Sequence, residues 1–214
     1  MNAFVNTVLL VYAGLFPVVN PFGSAPLFLG MTEYCSGRQR ADLALRVAVN
    51  SFFLLLGSVF MGSHVLEFFG ISVPVVRIAG GIVVSAFGWR MLNSAASPDE
   101  HHPDGTGPVV PDSFYPLTMP LTVGPGSISV AVTLGSQRPV AAHIADLLLL
   151  GGGAILGLLL IAATIYSCYR FAERLVSALG PAGTNVVVRL SAFILLCIGI
   201  QIVWSGWAQL SGTH

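Results

Sequence analysis

Six long apolar stretches, at about 4–31, 42–67, 73–92, 114–136, 143–169 and 185–207, leave this chain almost no residues from which to build an aqueous domain. Each is near the roughly 20 residues that cross a hydrocarbon layer of about 30 Å as a helix. Charged residues make up only 8% of the 214, far below the roughly 25% of a soluble domain. The sequence therefore predicts an all-α polytopic membrane protein with six transmembrane helices.

Two of the six stretches carry proline-glycine breaks. The first holds Asn20-Pro21-Phe22-Gly23-Ser24-Ala25-Pro26 and the fourth Gly124-Pro125-Gly126-Ser127. Proline removes a helical hydrogen bond and clashes with the preceding turn. Lipid offers the freed groups no water, so broken backbone at membrane depth belongs inside protein or beside a wet cavity. Both breaks are thus candidate walls of one site. The half-helices expected after Gly23 and Gly126 would offer free N–H groups and a positive dipole end to a carboxylate. Asn20, Ser24 and Ser127 would add polar side chains. The competing reading is a pair of packing kinks, since proline and glycine are common in membrane helices.

The two breaks fall in corresponding places. Asp42 opens the second stretch as Asp146 opens the fifth, and Phe69-Gly70 precedes Arg77 as Leu179-Gly180 precedes Arg189. The pattern predicts 3+3 inverted repeats, residues 1–93 and 114–214, with broken first and fourth helices and a polar cytoplasmic linker at 94–113. Arg38, Arg40, Arg90, Arg170 and Arg174 fall in loops on one side, with Arg46 near a helix end, and Arg138 falls on the other. The positive-inside rule then predicts both termini outside. The first stretch has no basic residue before it and no small-residue cleavage site after it, so it reads as a permanent helix.

Arg77 and Arg189 lie within spans, where a charge faces a cavity, grips a partner or snorkels to the interface. Asp42, Glu67, Asp146 and Glu173 sit at helix ends and read as capping or interface carboxylates rather than proton carriers. Gly80, Gly81, Gly151 to Gly153 and Gly157 read as close helix contacts, and the fifth stretch offers a face for a homo-oligomer. Trp89, Trp204 and Trp207 read as interface belt. His101 and His102 lie among acids in the linker and read as a solvated loop, so no metal or cofactor is expected. Cys35, Cys168 and Cys197 form no CxxC and read as free thiols. The nine basic residues are all arginines scattered at segment ends, which argues against nucleic acid. No HExxH, GxSxG or paired mid-span aspartates point to an enzyme, and Ser127 with His143 is the one nucleophile and base pair worth naming.

The chain resembles the MarC family, the SnatA-type amino acid exporters placed near the LysE exporter superfamily. The resemblance covers both halves. It rests on Asn20-Pro21-x-Gly23-x-x-Pro26, on Phe69-Gly70-Ile71-Ser72 leading to Arg77-Ile78-Ala79-Gly80-Gly81, on Pro120-Leu121 with Gly124-Pro125-Gly126-Ser127-Ile128, and on Gly180 with Arg189. It implies six helices, a bacterial inner-membrane location and export of small neutral amino acids by some members. Ser24 stands where the resemblance implies asparagine, so the substrate does not carry over. Asn20, Pro21, Gly23, Ser24, Gly124, Pro125, Gly126, Ser127, Arg77 and Arg189 are the expected substrate-binding residues. A non-transporting membrane scaffold and a passive channel are the alternatives.

Overall fold

The computed structural model describes residues 3–94, 111–136 and 144–212. Among them helices account for all the regular structure, and no strand forms. Most of the linker lies outside the described residues, as do Arg138, His143 and the Asp146 side chain.

The first stretch is two helices, α1 (Ala3–Val19) and α2 (Pro21–Met31), bent by 44° at Asn20. Asn20 is left-handed, with φ 47° and ψ 57°, a conformation that asparagine tolerates better than most side chains. The chain turns at Thr32 and enters α3 (Gly37–Phe68) through a capping box. The Gln39 N–H donates to Ser36 Oγ at 3.3 Å, and the Ser36 N–H donates to Gln39 Oε1 at 2.9 Å. This start lies ahead of the expected one at Asp42, which sits inside the helix. Gly70, at φ 67°, then makes the tight turn into α4 (Val73–Ser94).

The fourth stretch differs most from expectation. Pro116, Pro120 and Pro125 prevent a continuous α-helix, and the chain instead forms a wide π-type turn at Leu117–Thr122. Thr118 and Thr122 hydroxyls donate to the carbonyls five residues back, Ser113 and Leu117, each at 2.7 Å. The bonds before Pro116 and Pro120 are cis. After the break comes α5 (Pro125–Ser136), whose 12 residues make roughly 18 Å, too short to span a core alone. Then follow α6 (Ile144–Arg170) and α7 (Ala172–Ser211), separated only by Phe171. The sixth helix was expected from Asn185. It begins at Ala172 and is broken at Gly180, where φ is 65° and ψ 176°.

Gly37–Phe68, Val73–Asn93, Leu148–Arg170 and Ala172–Ser211 are long and apolar enough to cross a membrane, and α1 with α2 makes a fifth span if counted together. The remaining expected span, the fourth stretch at 114–136, has the irregular turn in place of its first half. Outward-facing side chains are apolar: Phe53, Leu148, Trp204 and Trp207 are each at least 60% exposed. Surface of that kind belongs against lipid.

Close backbone approach holds the bundle. Helices α4 and α7 run antiparallel, and a Cβ on Gly81 would lie 2.7 Å from both the Gly199 carbonyl and the Val203 amide. Further along, a Cβ on Gly88 would lie 2.7 Å from the Leu196 amide, and one on Gly206 would lie 2.8 Å from the Pro74 carbonyl. Without a hydrophobic gradient between helices in lipid, this van der Waals contact is what associates them. Helix α6 lies along α1, with Gly153 and Gly157 against Phe4, Thr7 and Val11. That glycine face is therefore occupied within the chain. Helix α5 packs on α3 and α4, and α2 on α7 and α6. Leu15, Phe28, Leu55, Leu158 and Ile165 are fully buried where α1, α2, α3 and α6 meet.

Candidate functional site

The two breaks share the wall of one cavity. Asn20 lines it from the first, and Gly124, Pro125, Gly126 and Ser127 line it from the second, with Pro120, Leu121 and Thr122 beside them. Val83, Val84 and Phe87 of α4 and Leu195 of α7 complete an apolar side. The volume is about 70 Å³, room for a few waters or a compact solute and far below the roughly 300 Å³ of the smallest drug-sized pockets.

The two half-helix N-termini are not alike. At α2 the Gly23 N–H donates to Asn20 Oδ1 at 3.2 Å and the Ser24 N–H to the Asn20 carbonyl at 3.0 Å. Pro21 has no N–H, so Asn20 consumes most of what this terminus offers. The other end of the same amide remains: Asn20 Nδ2 is buried without a hydrogen-bond partner among the described residues. At α5 the preceding residue, Gly124, has no side chain with which to cap. The Ile128 N–H donates to the Gly124 carbonyl at 3.1 Å, while the Gly126 and Ser127 N–H groups have no acceptor among the described residues. Pro125 also lacks the N–H that would bond the Leu121 carbonyl four residues back. The cavity thus gathers donors from both breaks against an apolar wall, and among the described residues no carboxylate or guanidinium lines it.

The remaining expected residues lie elsewhere. Pro21, Gly23 and Ser24 are buried but do not line the cavity; a Cβ on Gly23 would meet Ser191 of α7 at 2.8 Å. Arg77 is half-buried on α4, where its Nε donates to Thr133 Oγ1 of α5 at 3.3 Å. Arg189 is exposed on α7. Neither arginine reaches the cavity wall.

Sequence reasoning missed Tyr169. Its side chain is fully buried at the end of α6, its ring stacked on Phe28 of α2 with centroids 4.3 Å apart and planes 14° from parallel. Its hydroxyl is 2.8 Å from Thr122 Oγ1. Thr122 gives its own proton to the Leu117 carbonyl, so Tyr169 is the donor. One tyrosine therefore ties the first half-helix to the turn before the second. A single tyrosine before Arg170 gives no sequence signal for this, because its partners are 47 and more residues away.

Comparison with known proteins agrees with a membrane protein of several apolar helices. The model of the MarC family of integral membrane proteins matches residues 5–210. The chain belongs to the MarC family. This MarC-family chain is 30% identical over 209 residues to the inner membrane protein MarC of Escherichia coli O157:H7, covering 94% of this chain and 93% of that protein. The MarC of Escherichia coli K12 matches with the same figures. No solved structure matches it.

Proposed function

We propose that this protein is a secondary transporter of the bacterial inner membrane that exports small neutral amino acids through the cavity between its two breaks. The observation that carries this reading is the donor set at that cavity: the unpartnered Asn20 Nδ2 with the uncapped Gly126 and Ser127 N–H groups. Those donors suit a carboxylate, and the positive end of α5 adds to them. Carbonyls freed by proline, such as that of Leu121, suit an ammonium group. Val84, Phe87 and Leu195 leave space for only a small side chain. With no fixed charge in the wall, a zwitterion brings its own compensation, whereas a net anion or cation does not.

The reading includes six segments arranged as 3+3 inverted repeats. Two features support it. Gly70 and Gly180 both take a positive φ ahead of Arg77 and Arg189, at 67° and 65°. The packing also maps onto itself when the halves are exchanged: α5 lies on α4 as α2 lies on α7, and α1 lies on α6 as the wide turn and α5 lie on α3. Relative rocking of two such halves would open the cavity first to one face and then to the other. The Arg40–Glu173 ion pair, at 3.0 Å, joins the starts of α3 and α7 on the face that carries Arg38, Arg170 and Arg174. On the positive-inside rule that face is cytoplasmic, and both termini are outside.

Counterflow in proteoliposomes with labelled glycine, alanine, serine and threonine tests the proposal. Saturable exchange of at least one is expected, and its loss in folded Gly126→Val, whose side chain would collide with Val84. No exchange of any of the four would overturn the amino acid claim. Flux that never saturates would replace the carrier with a channel.

A further inference from the structure

A second concavity, of about 530 Å³, opens between α1 and α6 on the outer surface of the bundle and shares no residue with the cavity at the breaks. We propose that it binds one anionic phospholipid, with an acyl chain in the groove and the phosphate between Arg170 and Arg174. Leu9, Tyr12 and Phe22 form one wall, and Leu160, Ala163 and Phe171 the other. The hydroxyls in it are already used. Tyr12 and Thr164 bond each other at 3.2 Å, Thr164 donates to the Leu160 carbonyl at 2.7 Å, and Ser167 donates to the Ala163 carbonyl at 2.7 Å. The groove therefore presents hydrocarbon to whatever fills it.

Charge selects the occupant. Phe171, at the end of the groove, has the Arg170 guanidinium carbon 5.8 Å and the Arg174 guanidinium carbon 5.5 Å from its ring centroid. Both arginines are exposed, and neither has a carboxylate partner among the described residues. Glu173, which lies between them in sequence, is held instead by Arg40. Two like charges beside one ring are a site for a bridging anion, and guanidinium matches phosphate well. The length fits too. From Leu160 to Cys168 the groove follows α6 for roughly 12 Å, within one leaflet's half of a core of about 30 Å. A chain anchored by its phosphate at Arg170 and Arg174 would run from the interface towards the midplane. Basic pockets at the mouths of gaps between membrane helices hold anionic headgroups in this way.

The test uses the full-length protein, delipidated in detergent and followed by native mass spectrometry and thermal melting. Phosphatidylglycerol and phosphatidylcholine with identical acyl chains are titrated side by side. Two arginines at a surface predict a preference for phosphatidylglycerol of roughly tenfold or more. The Arg170→Gln, Arg174→Gln double variant should lose that preference while binding phosphatidylcholine as before. Ala163→Trp, which fills the groove, should lower retention of both lipids. Glycerol phosphate, a headgroup without chains, should give no thermal protection. Equal binding of the two lipids, a preference that survives in the double variant, or protection by glycerol phosphate alone would each overturn the proposal. So would a lipid-independent dimer that Ala163→Trp dissociates, since a second copy would then occupy the groove. Transport activity enters none of these readouts.

Discussion

Deleting one oxygen atom, in Tyr169→Phe, would uncouple the two breaks while leaving the packing intact. The ring would keep its stack on Phe28, and Thr122 would keep its bond to the Leu117 carbonyl. What disappears is a single donated hydrogen bond, 2.8 Å long and fully buried. A net hydrogen bond contributes about 0.5–1.5 kcal/mol, and interhelical bonds in a membrane protein average about 0.6 with a maximum near 1.7. A loss of about 1 kcal/mol is expected, roughly a fivefold change in the ratio of folded to unfolded protein. Tyr169→Ala would be a poor probe, since the void it leaves costs about 3–5 kcal/mol for reasons unrelated to the bond. The assay is reversible unfolding in mixed detergent micelles, run as a double-mutant cycle with Thr122→Val. Distant changes add within about 0.3–0.5 kcal/mol, so a coupling of about 1 kcal/mol stands clear of that background. Additive effects of the two substitutions would refute the tie between the half-helices.

Gly81→Ala is expected to separate α4 from α7, because its new methyl would meet backbone of α7 at 2.7 Å on two sides. Destabilisation of about 1–3 kcal/mol in the same assay is the expected result. Gly30→Ala, where nothing lies within 4 Å, should be neutral or slightly stabilising. Arg40 donates to the Thr32 and Cys35 carbonyls at 3.1 and 3.3 Å as well as to Glu173. Arg40→Lys keeps the charge but loses the fork, and should cost about 1 kcal/mol or more. Glu173→Gln removes only an ion pair whose acid is 76% exposed and should cost less, within about 1 kcal/mol.

The parts of the fold that depend on local backbone chemistry were legible in the sequence. Proline at 21 and 125 locates both breaks, Gly70 locates the tight turn before Arg77, and Gly180 locates the kink before Arg189. The capping box of Ser36 and Gln39 is equally local and marks a start for α3 ahead of Asp42. Sequence reasoning stopped short where a residue's role depends on what packs against it. Gly80, Gly81, Gly153 and Gly157 read correctly as contact points, but Gly88, Gly199 and Gly206 look no different from glycines with open space beside them. Charge does not mark a loop at every segment end: Arg170 and Arg174 flank a corner only one residue long, and α7 is helical from Ala172. At the site, Asn20 and the stretch from Gly124 to Ser127 share a cavity as the paired breaks suggested. The two arginines do not join them, because helix periodicity turns Arg77 to Thr133 and Arg189 outward.

The antiparallel contact of α4 with α7 also sets an order of events during synthesis. Helix α4 is complete at Ser94, while its partner ends at Ser211, more than 100 residues later. At about 5–20 residues per second the wait is roughly 6–23 s. Through that interval the backbone around Gly81 and Gly88 faces lipid or whatever insertion machinery is at hand. Helix α2 waits likewise for Ser191. A ribosome that stops short of α7 would therefore leave a hydrophobic product with its tightest seam unmade, the kind of molecule that membrane quality control recognises and removes.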